Sequence, residues 1–321
     1  MGANAKGALL ALLAFAIFAT HDVIVKTLGA SYSPFQIVFF SVLFGFPLVT
    51  LMLIRDAEPG HLRPVHPWWT LTRTGAAVIT GGSAFYAFAT IPLAQTYAIL
   101  FAAPLLITIL SIPILGETVR LRRWMAVIVG LIGVMVVLRP GATELTLGHF
   151  AAMVAAFGSA LASIIVRKIG QDERSVVLLL YPMLANFLVM GALLPFVYQP
   201  MPVAHLGGLA LMSIMAFIAS ALVIAAYKSA EAVIVAPMQY SQILWAVLYG
   251  VLFFGEWPDG MTALGAAIII ASGVYIVLRE GRGKASDNTP VLQSRSRFET
   301  GTFPRTSAIL RAALKRTGPH D

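Results

Sequence analysis

Three ionisable residues, His21, Asp22 and Lys26, lie within six positions of an otherwise apolar stretch near the N-terminus. Ionisable groups are costly inside a bilayer, so they are candidates for function wherever a helix spans one. Asp22 and Lys26 are four residues apart, which places them on one helix face and predicts an ion pair between them. A proton arriving at His21 or Asp22 would break that pair, so all three residues are candidates for coupling. The alternative is that Lys26 extends to the aqueous interface and Asp22 neutralises it.

Uncharged polar and aromatic residues are concentrated in two apolar stretches, 93–115 and 232–254. Amide and phenol groups hold a solute without a fixed charge, and aromatic faces stack on a planar ring or a cation. The same groups form hydrogen bonds between membrane helices, which is the alternative explanation. In the second stretch five such residues fall within positions 239–249, more than packing requires. We therefore predict a solute-binding site formed by Tyr86, Gln95, Tyr97, Gln239, Tyr240, Gln242 and Trp245, with Tyr249 and Asn186 as further candidates.

Three glutamates and one proline have structural explanations. Glu117 and Glu256 each follow a glycine, and we expect each in the first turn of the next helix, where the helix dipole stabilises negative charge. Glu231 precedes a predicted helix and suits a surface or capping role. Pro104 removes a backbone hydrogen bond inside its predicted helix, which indicates either a hinge or a fixed kink.

Motifs for catalysis and cofactor binding are absent from the sequence. It has no cysteine, no phosphate-binding Gly-x-x-x-x-Gly-Lys-Ser/Thr motif and no His-Glu-x-x-His motif. Its six histidines lack the spacing of metal ligands. We therefore predict no catalytic residues, no metal site and no cofactor.

The elements that position these residues are predicted to be membrane helices. Hydrophobic residues make up 59% of the 321 positions and charged residues 11%, against about 25% charged in a typical soluble domain. A spanning helix needs roughly 20 mostly apolar residues. The N-terminal stretch is read as a retained first helix because no convincing cleavage site follows it. The ten predicted helices are 7–28, 34–54, 70–91, 93–115, 119–138, 147–167, 175–197, 206–227, 232–254 and 260–279.

The distribution of Lys and Arg predicts the orientation of these helices. With a cytoplasmic N-terminus, eleven basic residues before the tenth helix fall inside and only two, Lys26 and Arg139, fall outside. Both termini are then cytoplasmic, in a multi-pass protein of the cell inner membrane. The net charge of +8 lies mostly in the tail 281–321, which we expect to be disordered. We expect a small-molecule solute and membrane lipid as partners, and no nucleic acid.

The two halves of the chain resemble each other at a nearly constant offset. Gly133–Gly141 matches Gly273–Gly281 at six of nine positions, and the pair Gly116-Glu117 matches Gly255-Glu256. Ile24-Val25-Lys26 likewise matches Ile165-Val166-Arg167. Each half holds five predicted helices, and five is odd, so the second half enters the membrane from the opposite side. Inverted repeats are a common construction of secondary transporters, which bind solute where the repeats meet.

The doubled Gly-Glu pair and the Gly-Val-x-x-Val-Leu that ends each half resemble the EamA-type members of the drug/metabolite transporter superfamily. The resemblance covers about residues 7–280 and implies ten helices around a central cavity that moves small organic solutes. Asp22 and Lys26 also resemble a subgroup that includes riboflavin and S-adenosylmethionine uptake proteins. Relatives often carry arginine in the second helix where this chain has Ser41, so no role is carried over for that arginine.

These observations predict an all-α integral membrane protein with one five-helix repeat in 1–141, a second in 145–280, and a tail in 281–321. The predicted function is secondary transport of a small organic metabolite, such as an amino acid, vitamin or nucleoside-like solute, by alternating access, with proton coupling or exchange. The alternative is a membrane-embedded enzyme acting on a lipid-like substrate, but the sequence lacks the clustered carboxylates or paired histidines such an enzyme needs.

Overall fold

The computed structural model describes residues 3–54, 62–116, 119, 121–140, 144–170, 172, 173, 175–229 and 235–282. Glu117, Glu231 and the tail from residue 283 lie outside these ranges, and with them part of the predicted roles of the glutamates and tail. Within the described ranges the chain is helical. The α-helices are α1 (Ala3–Gly29), α2 (Pro34–Ile54), α3 (Pro67–Thr90), α4 (Leu93–Leu100), α5 (Ala103–Leu115), α6 (Leu121–Leu138), α7 (Leu147–Ile169), α8 (Ser175–Val197), α9 (Val203–Ser229), α10 (Ser241–Phe254) and α11 (Gly260–Arg282); a 3₁₀-helix, Ala236–Tyr240, precedes α10.

The predicted all-α membrane fold is confirmed. Each of the ten predicted apolar stretches is represented by helix within the described residues. Five described helices are long and apolar enough to cross a membrane by length and composition, and shorter apolar helices account for further stretches. Their outward faces carry exposed large apolar side chains such as Phe196 and Val203, each 84% exposed. Such a surface is rare on a soluble monomer and is suited to lipid.

Two of the predicted spans are broken helices at equivalent positions in the two repeats. The stretch 93–115 forms α4 and α5, which are separated at Phe101 and Ala102. In the stretch 232–254, the 3₁₀-helix changes to α10 at Tyr240 and Ser241. Pro104 occupies the first turn of α5, where a missing N–H costs no helical hydrogen bond. Pro104 therefore lies directly after the interruption of its span, and both the hinge and the fixed kink that the sequence predicted remain open.

The helices of one repeat pack mainly against those of the other. Helix α1 packs on α9, and α3 packs on α7. Because α1 is equivalent to α7 and α3 to α9, these two contacts are equivalent by the repeat. The pairs α2 with α8 and α6 with α11 are each formed by equivalent helices. Packing of this kind follows a twofold relationship between the repeats and places α1, α4, α7 and α10 near the middle of the bundle.

The doubled Gly-Glu pair has a conformational cause. Gly116 and Gly255 end α5 and α10 in the left-handed region, with φ of 70° and 64°. Glycine adopts this conformation without the steric cost that a Cβ brings. The two repeats therefore need glycine at the same point for the same reason, which explains half of the motif.

Small residues allow close approach of α6 and α11. A Cβ on Gly133 would lie 2.9 Å from the carbonyl oxygen of Gly265, closer than side chains tolerate. Nearby, the Ser272 hydroxyl donates a hydrogen bond to the Ala126 carbonyl oxygen, at 2.5 Å. This seam fixes the two terminal helices of the repeats against each other and leaves α4 and α10 free to form the centre.

Candidate functional site

The centre of the bundle holds a buried polar cluster formed by His21, Asp22, Tyr97 and Gln242. His21 Nδ1 lies 2.6 Å from Asp22 Oδ1, and the Tyr97 hydroxyl donates a hydrogen bond to Asp22 Oδ2. Gln242 Nε2 donates to the same hydroxyl at 3.4 Å. All four residues are at most 3% exposed. Helices α1 and α4 of the first repeat and α10 of the second therefore meet at one hydrogen-bonded carboxylate.

One atom of this cluster lacks a partner. The side-chain oxygen of Gln242, Oε1, is buried and accepts no hydrogen bond from the described residues. A buried polar atom without a partner costs about 1–3 kcal/mol. Such atoms are rare in native structures and are explained by a bound group, by water or by a functional role. The cluster thus presents an unused acceptor at the point where α4 and α10 meet.

Lys26 forms an ion pair with Glu256 of the second repeat, whereas the spacing along α1 predicted Asp22 as its partner. Its Nζ lies 2.8 Å from Glu256 Oε1 and donates a hydrogen bond to the Ile91 carbonyl oxygen, also at 2.8 Å. The ammonium also lies 5.3 Å from the ring centroid of Phe254. Lys26 is 8% exposed, so it does not extend to solvent either. The preference for a partner on another helix arises from packing, since Glu256 approaches from the second repeat.

Glu256 was expected in the first turn of the following helix, and this is wrong. Helix α11 begins at Gly260, and Glu256 lies in the extended segment before it. Its Oε2 instead accepts a hydrogen bond from the backbone N–H of Leu93 at 3.2 Å. A helix dipole does stabilise the carboxylate, but the helix is α4 of the other repeat. The doubled Gly-Glu pair was the signal for this residue, although nothing in the sequence indicated its partners.

A series of aromatic rings links the cluster across the two breaks. The Tyr97 ring lies 5.3 Å from that of Phe88 and 5.8 Å from that of Phe101. Phe101 in turn lies 5.1 Å from Tyr240 in an edge-on arrangement, a geometry favoured by the ring quadrupoles. Phe101 was not among the predicted residues, because a buried phenylalanine in an apolar stretch resembles any core residue.

The other predicted site residues lie outside this hydrogen-bonded cluster. Trp245 and Tyr249 form a tilted pair on α10, 5.9 Å between centroids, and the Tyr249 hydroxyl lies 3.0 Å from that of Thr20 on α1. Gln95 lies 3.2 Å from His149 at the start of α7. Tyr86 and Gln239 are half-buried. Asn186 is buried in α8, where its amide donates to the Pro182 carbonyl oxygen of the same helix at 3.0 Å.

Several polar contacts join the repeats at one end of the bundle. This end, here called the Glu256 face, holds the connections 30–33, 91–92, 198–202 and 255–259. Gln36 makes two hydrogen bonds with the backbone of Gln199, at 2.6 and 2.9 Å, and Tyr32 Oη lies 2.6 Å from His205 Nδ1. Arg139 forms an ion pair with Asp259. This face is therefore closed by contacts between repeats, and the ion pair of Lys26 with Glu256 is more buried than that of Arg139 with Asp259.

Asp259 has a capping role at this face. Its Oδ1 accepts a hydrogen bond from the Thr262 N–H at 2.7 Å, in the first turn of α11. Hydrogen bonding from Thr262, and then from Arg139, holds the pKa of the Asp259 carboxyl below its usual value of 3.8. The carboxylate is therefore charged at neutral pH and stabilises the start of the helix.

A helical bundle with apolar outer faces, buried ionisable residues and two helices broken at equivalent positions defines a membrane transporter built from two repeats. Residues 5–139 and 146–279 each match the EamA-like transporter family. The chain therefore belongs to this family of the drug/metabolite transporter superfamily, and it is a multi-pass membrane protein that transports small metabolites. The family is one of transporters, so the alternative of a membrane-embedded enzyme is set aside.

Curated relatives have different named solutes. An S-adenosylmethionine uptake transporter of Rickettsia prowazekii is 26% identical over 279 residues, which cover 86% of this chain and 93% of the relative. A riboflavin transporter of Vibrio cholerae is 31% identical over 253 residues, 74% of this chain and 85% of that protein. The pseudopaline exporter CntI of Pseudomonas aeruginosa is 26% identical over 278 residues, covering 84% and 95%.

A solved crystal structure supports the fold independently. It aligns with a TM-score of 0.58 at 20% sequence identity, over 86% of this chain and 97% of the solved one. At this level of identity the similarity concerns the fold alone.

Proposed function

We propose that this chain is a secondary transporter that moves a small organic solute across the inner membrane by alternating access, with the solute bound where α4 and α10 break. The observation that carries the proposal is the buried cluster of Asp22, Tyr97 and Gln242, which joins both repeats at those breaks. Broken helices in corresponding positions of two repeats are the usual location of transporter sites. The sites are built where unwound backbone and polar side chains can face a solute.

The chemistry of the site favours a solute with a planar ring and an N–H donor. The unused acceptor Gln242 Oε1 would receive a hydrogen bond from such a donor, which removes the cost of its burial. One and two helical turns beyond Gln242, the rings of Trp245 and Tyr249 provide aromatic faces on which a planar group stacks. S-adenosylmethionine and riboflavin, the named solutes of two relatives, each contain a ring system of this kind and ring-associated N–H groups.

Three further features belong to the same proposal. The repeats extend over 1–141 and 145–280, and 281–321 is a cytoplasmic tail. Both termini are cytoplasmic, because this orientation places eleven basic residues inside and only two outside. Asp22, with His21 beside it, is the proposed proton-binding residue. Movement against a gradient then requires either an ion gradient, for which we propose protons, or solute exchange, since the sequence has no nucleotide-binding motif.

The test is flux in sealed vesicles that contain the purified protein. Labelled S-adenosylmethionine and labelled riboflavin are added separately, and uptake and exchange are measured with and without a pH gradient. We expect saturable movement of one of them, and its loss in Gln242→Leu at unchanged membrane abundance. The matched control is Gln199→Leu, since that side chain lies at the Glu256 face and is exposed. Neither solute moving, or movement unaffected by Gln242→Leu, would contradict the proposed solute class or its site respectively.

A further inference from the structure

Glu256 holds three parts of the bundle together at one face. Its carboxylate pairs with Lys26 at the end of α1 and accepts the N–H of Leu93 at the start of α4. Its own backbone N–H donates to the Gly250 carbonyl oxygen at 2.9 Å, which ties the segment to α10. Two of these elements belong to the first repeat and one to the second. Any opening of the repeats at the Glu256 face must therefore separate Glu256 from Lys26.

Lys26 needs a partner whichever way that face moves. Its side chain is 9% exposed, and a buried cation without a carboxylate is strongly destabilised. Phe254 and Glu256 would both move away with the second repeat, and Lys26 would lose most of its favourable electrostatic interactions. One carboxylate stays within reach, because Asp22 is one turn earlier on the same face of α1 and moves with Lys26.

Helix α4 connects these two carboxylates. Glu256 accepts from Leu93 at the first residue of α4, and Asp22 accepts from Tyr97 one turn later. In the present arrangement the charge of Asp22 is stabilised by Tyr97 and His21, and that of Glu256 by Lys26 and α4. A shift of α4 that weakens the Tyr97 contact would remove one stabilising partner of Asp22 just as Lys26 loses Glu256.

We propose that Lys26 exchanges partners during transport, from Glu256 when the Glu256 face is closed to Asp22 when it is open, and that Glu256 is thus a positioning residue for the transport cycle. This inference rests on the proposed function, since alternating access is assumed. Two carboxylates are placed to serve Lys26: Glu256, which it contacts, and Asp22, one turn earlier on its own helix. Because Lys26 stays paired in both states, the exchange lowers the cost of moving between them. Helix α4 carries both Leu93, which contacts Glu256, and Tyr97, which lies at the proposed solute site. Solute binding at Tyr97 is thus coupled to closure of the face through this helix.

The first test measures closure without any solute. The chain contains no cysteine, so Ala94→Cys provides a single thiol on α4, three residues before Tyr97 and 8% exposed. Its rate of reaction with a membrane-impermeant maleimide is measured in vesicles of each orientation. Glu256→Gln and Lys26→Met are each expected to raise the rate several-fold from the Glu256 face only.

The matched control for this test is Gln199→Leu, which is expected to leave the rate unchanged. The Gln199 side chain is exposed on the same face, and its contacts with Gln36 are made by its backbone. An unchanged rate in Glu256→Gln, or an equal rise from both faces, would overturn the proposed closure. Because no solute is used, this result is independent of whether the solute class proposed above is correct.

The second test addresses the exchange of partners. Membrane abundance and thermal stability of the purified protein are measured for Asp22→Asn, Glu256→Gln, the double variant and the double variant with Lys26→Met. If Asp22 is the second partner of Lys26, the double variant loses far more stability than the two single losses combined, and adding Lys26→Met recovers much of it. Additive losses, or no recovery with Lys26→Met, would show that Asp22 never serves Lys26.

Discussion

The rings of Phe101 and Tyr240, which lie 5.1 Å apart, contact each other edge-on. The offset of 139 positions that relates Gly116 to Gly255 also relates these two residues, so equivalent positions of the two repeats meet at the centre of the bundle. Each lies where its helix is interrupted. Residues that contact their own repeat equivalents must lie near the twofold axis between the repeats, and the site is built around this point.

Tyr97→Phe is expected to impair transport while leaving membrane abundance close to that of the parent. The ring keeps its contacts with Phe88 and Phe101, but the hydrogen bonds to Asp22 and from Gln242 are lost. A hydrogen bond to a charged group contributes about 1.5–3 kcal/mol, so a fall in transport rate of about tenfold or more is expected. Vesicle uptake and abundance are compared with Tyr275→Phe, an exposed tyrosine. Parental transport in Tyr97→Phe would show that the hydroxyl has no role.

Asp22→Asn is expected to abolish accumulation driven by a pH gradient. Combined with Lys26→Met, which removes the cation that would otherwise lose its second partner, it is expected to preserve exchange of solute between the two faces. Asparagine keeps the size and an acceptor for Tyr97 but does not bind a proton. Uptake with and without a gradient, and exchange at equal pH, are measured in the same vesicles. If Asp22→Asn accumulates solute like the parent, Asp22 is not the proton carrier; if the double variant also fails to exchange solute, Asp22 serves binding rather than coupling.

Trp245→Ala and Tyr240→Ala are expected to fail in different ways. Tyr240 is 7% exposed, and it packs in the main core, so its truncation should cost about 3–5 kcal/mol and lower membrane abundance. Trp245 is only half-buried and should chiefly weaken solute binding. Abundance and the concentration dependence of uptake separate the two effects. Loss of abundance in Trp245→Ala would mark that residue as a packing group.

Asp259→Ala is expected to lower stability by about 1 kcal/mol, the usual cost of losing an N-terminal helix cap. Because the folded-state pKa of Asp259 is lowered, chiefly by Thr262, its contribution is present above the pKa of the unfolded chain. The contribution is lost as the pH falls through the lower, folded-state pKa. Thermal unfolding is measured from about pH 3 to about pH 7, a range that covers this titration. The pH dependence of stability should therefore be smaller in Asp259→Asn than in the parent. An identical pH dependence in the two would rule out this carboxylate as its source.

A reporter that is active only outside the cytoplasm, fused after residue 285, is expected to be inactive. The reason is the excess of Lys and Arg in the connections that share a side with the C-terminus. The control is the same reporter inserted in 198–202, which lies at the Glu256 face and is expected to be active. Activity at residue 285 and none at 198–202 would reverse the proposed orientation.

The sequence by itself determined the helices and the repeat. Membrane spans are readable because a bilayer requires about 20 apolar residues per helix, and the short gap at Ile91 and Pro92 separated α3 from α4 as expected. The doubled Gly-Glu pair marked equivalent points because a left-handed helix end requires glycine. The buried ionisable residues His21, Asp22 and Lys26 were also identified, since polar groups within a span stand out against an apolar background.

Only the tertiary structure decided which partners these residues have. Spacing along a chain identifies neighbours on one helix, which is why Asp22 was expected to pair with Lys26. The actual partner, Glu256, belongs to the other repeat, and its approach depends on how α1 packs against α9 and α10. Pro104 indicated a hinge or kink in the stretch 93–115, but the change of helix type at Tyr240 was not predicted. An apolar stretch is long enough to span whether or not it is continuous, and polar groups across the bundle determine where a broken helix is stable.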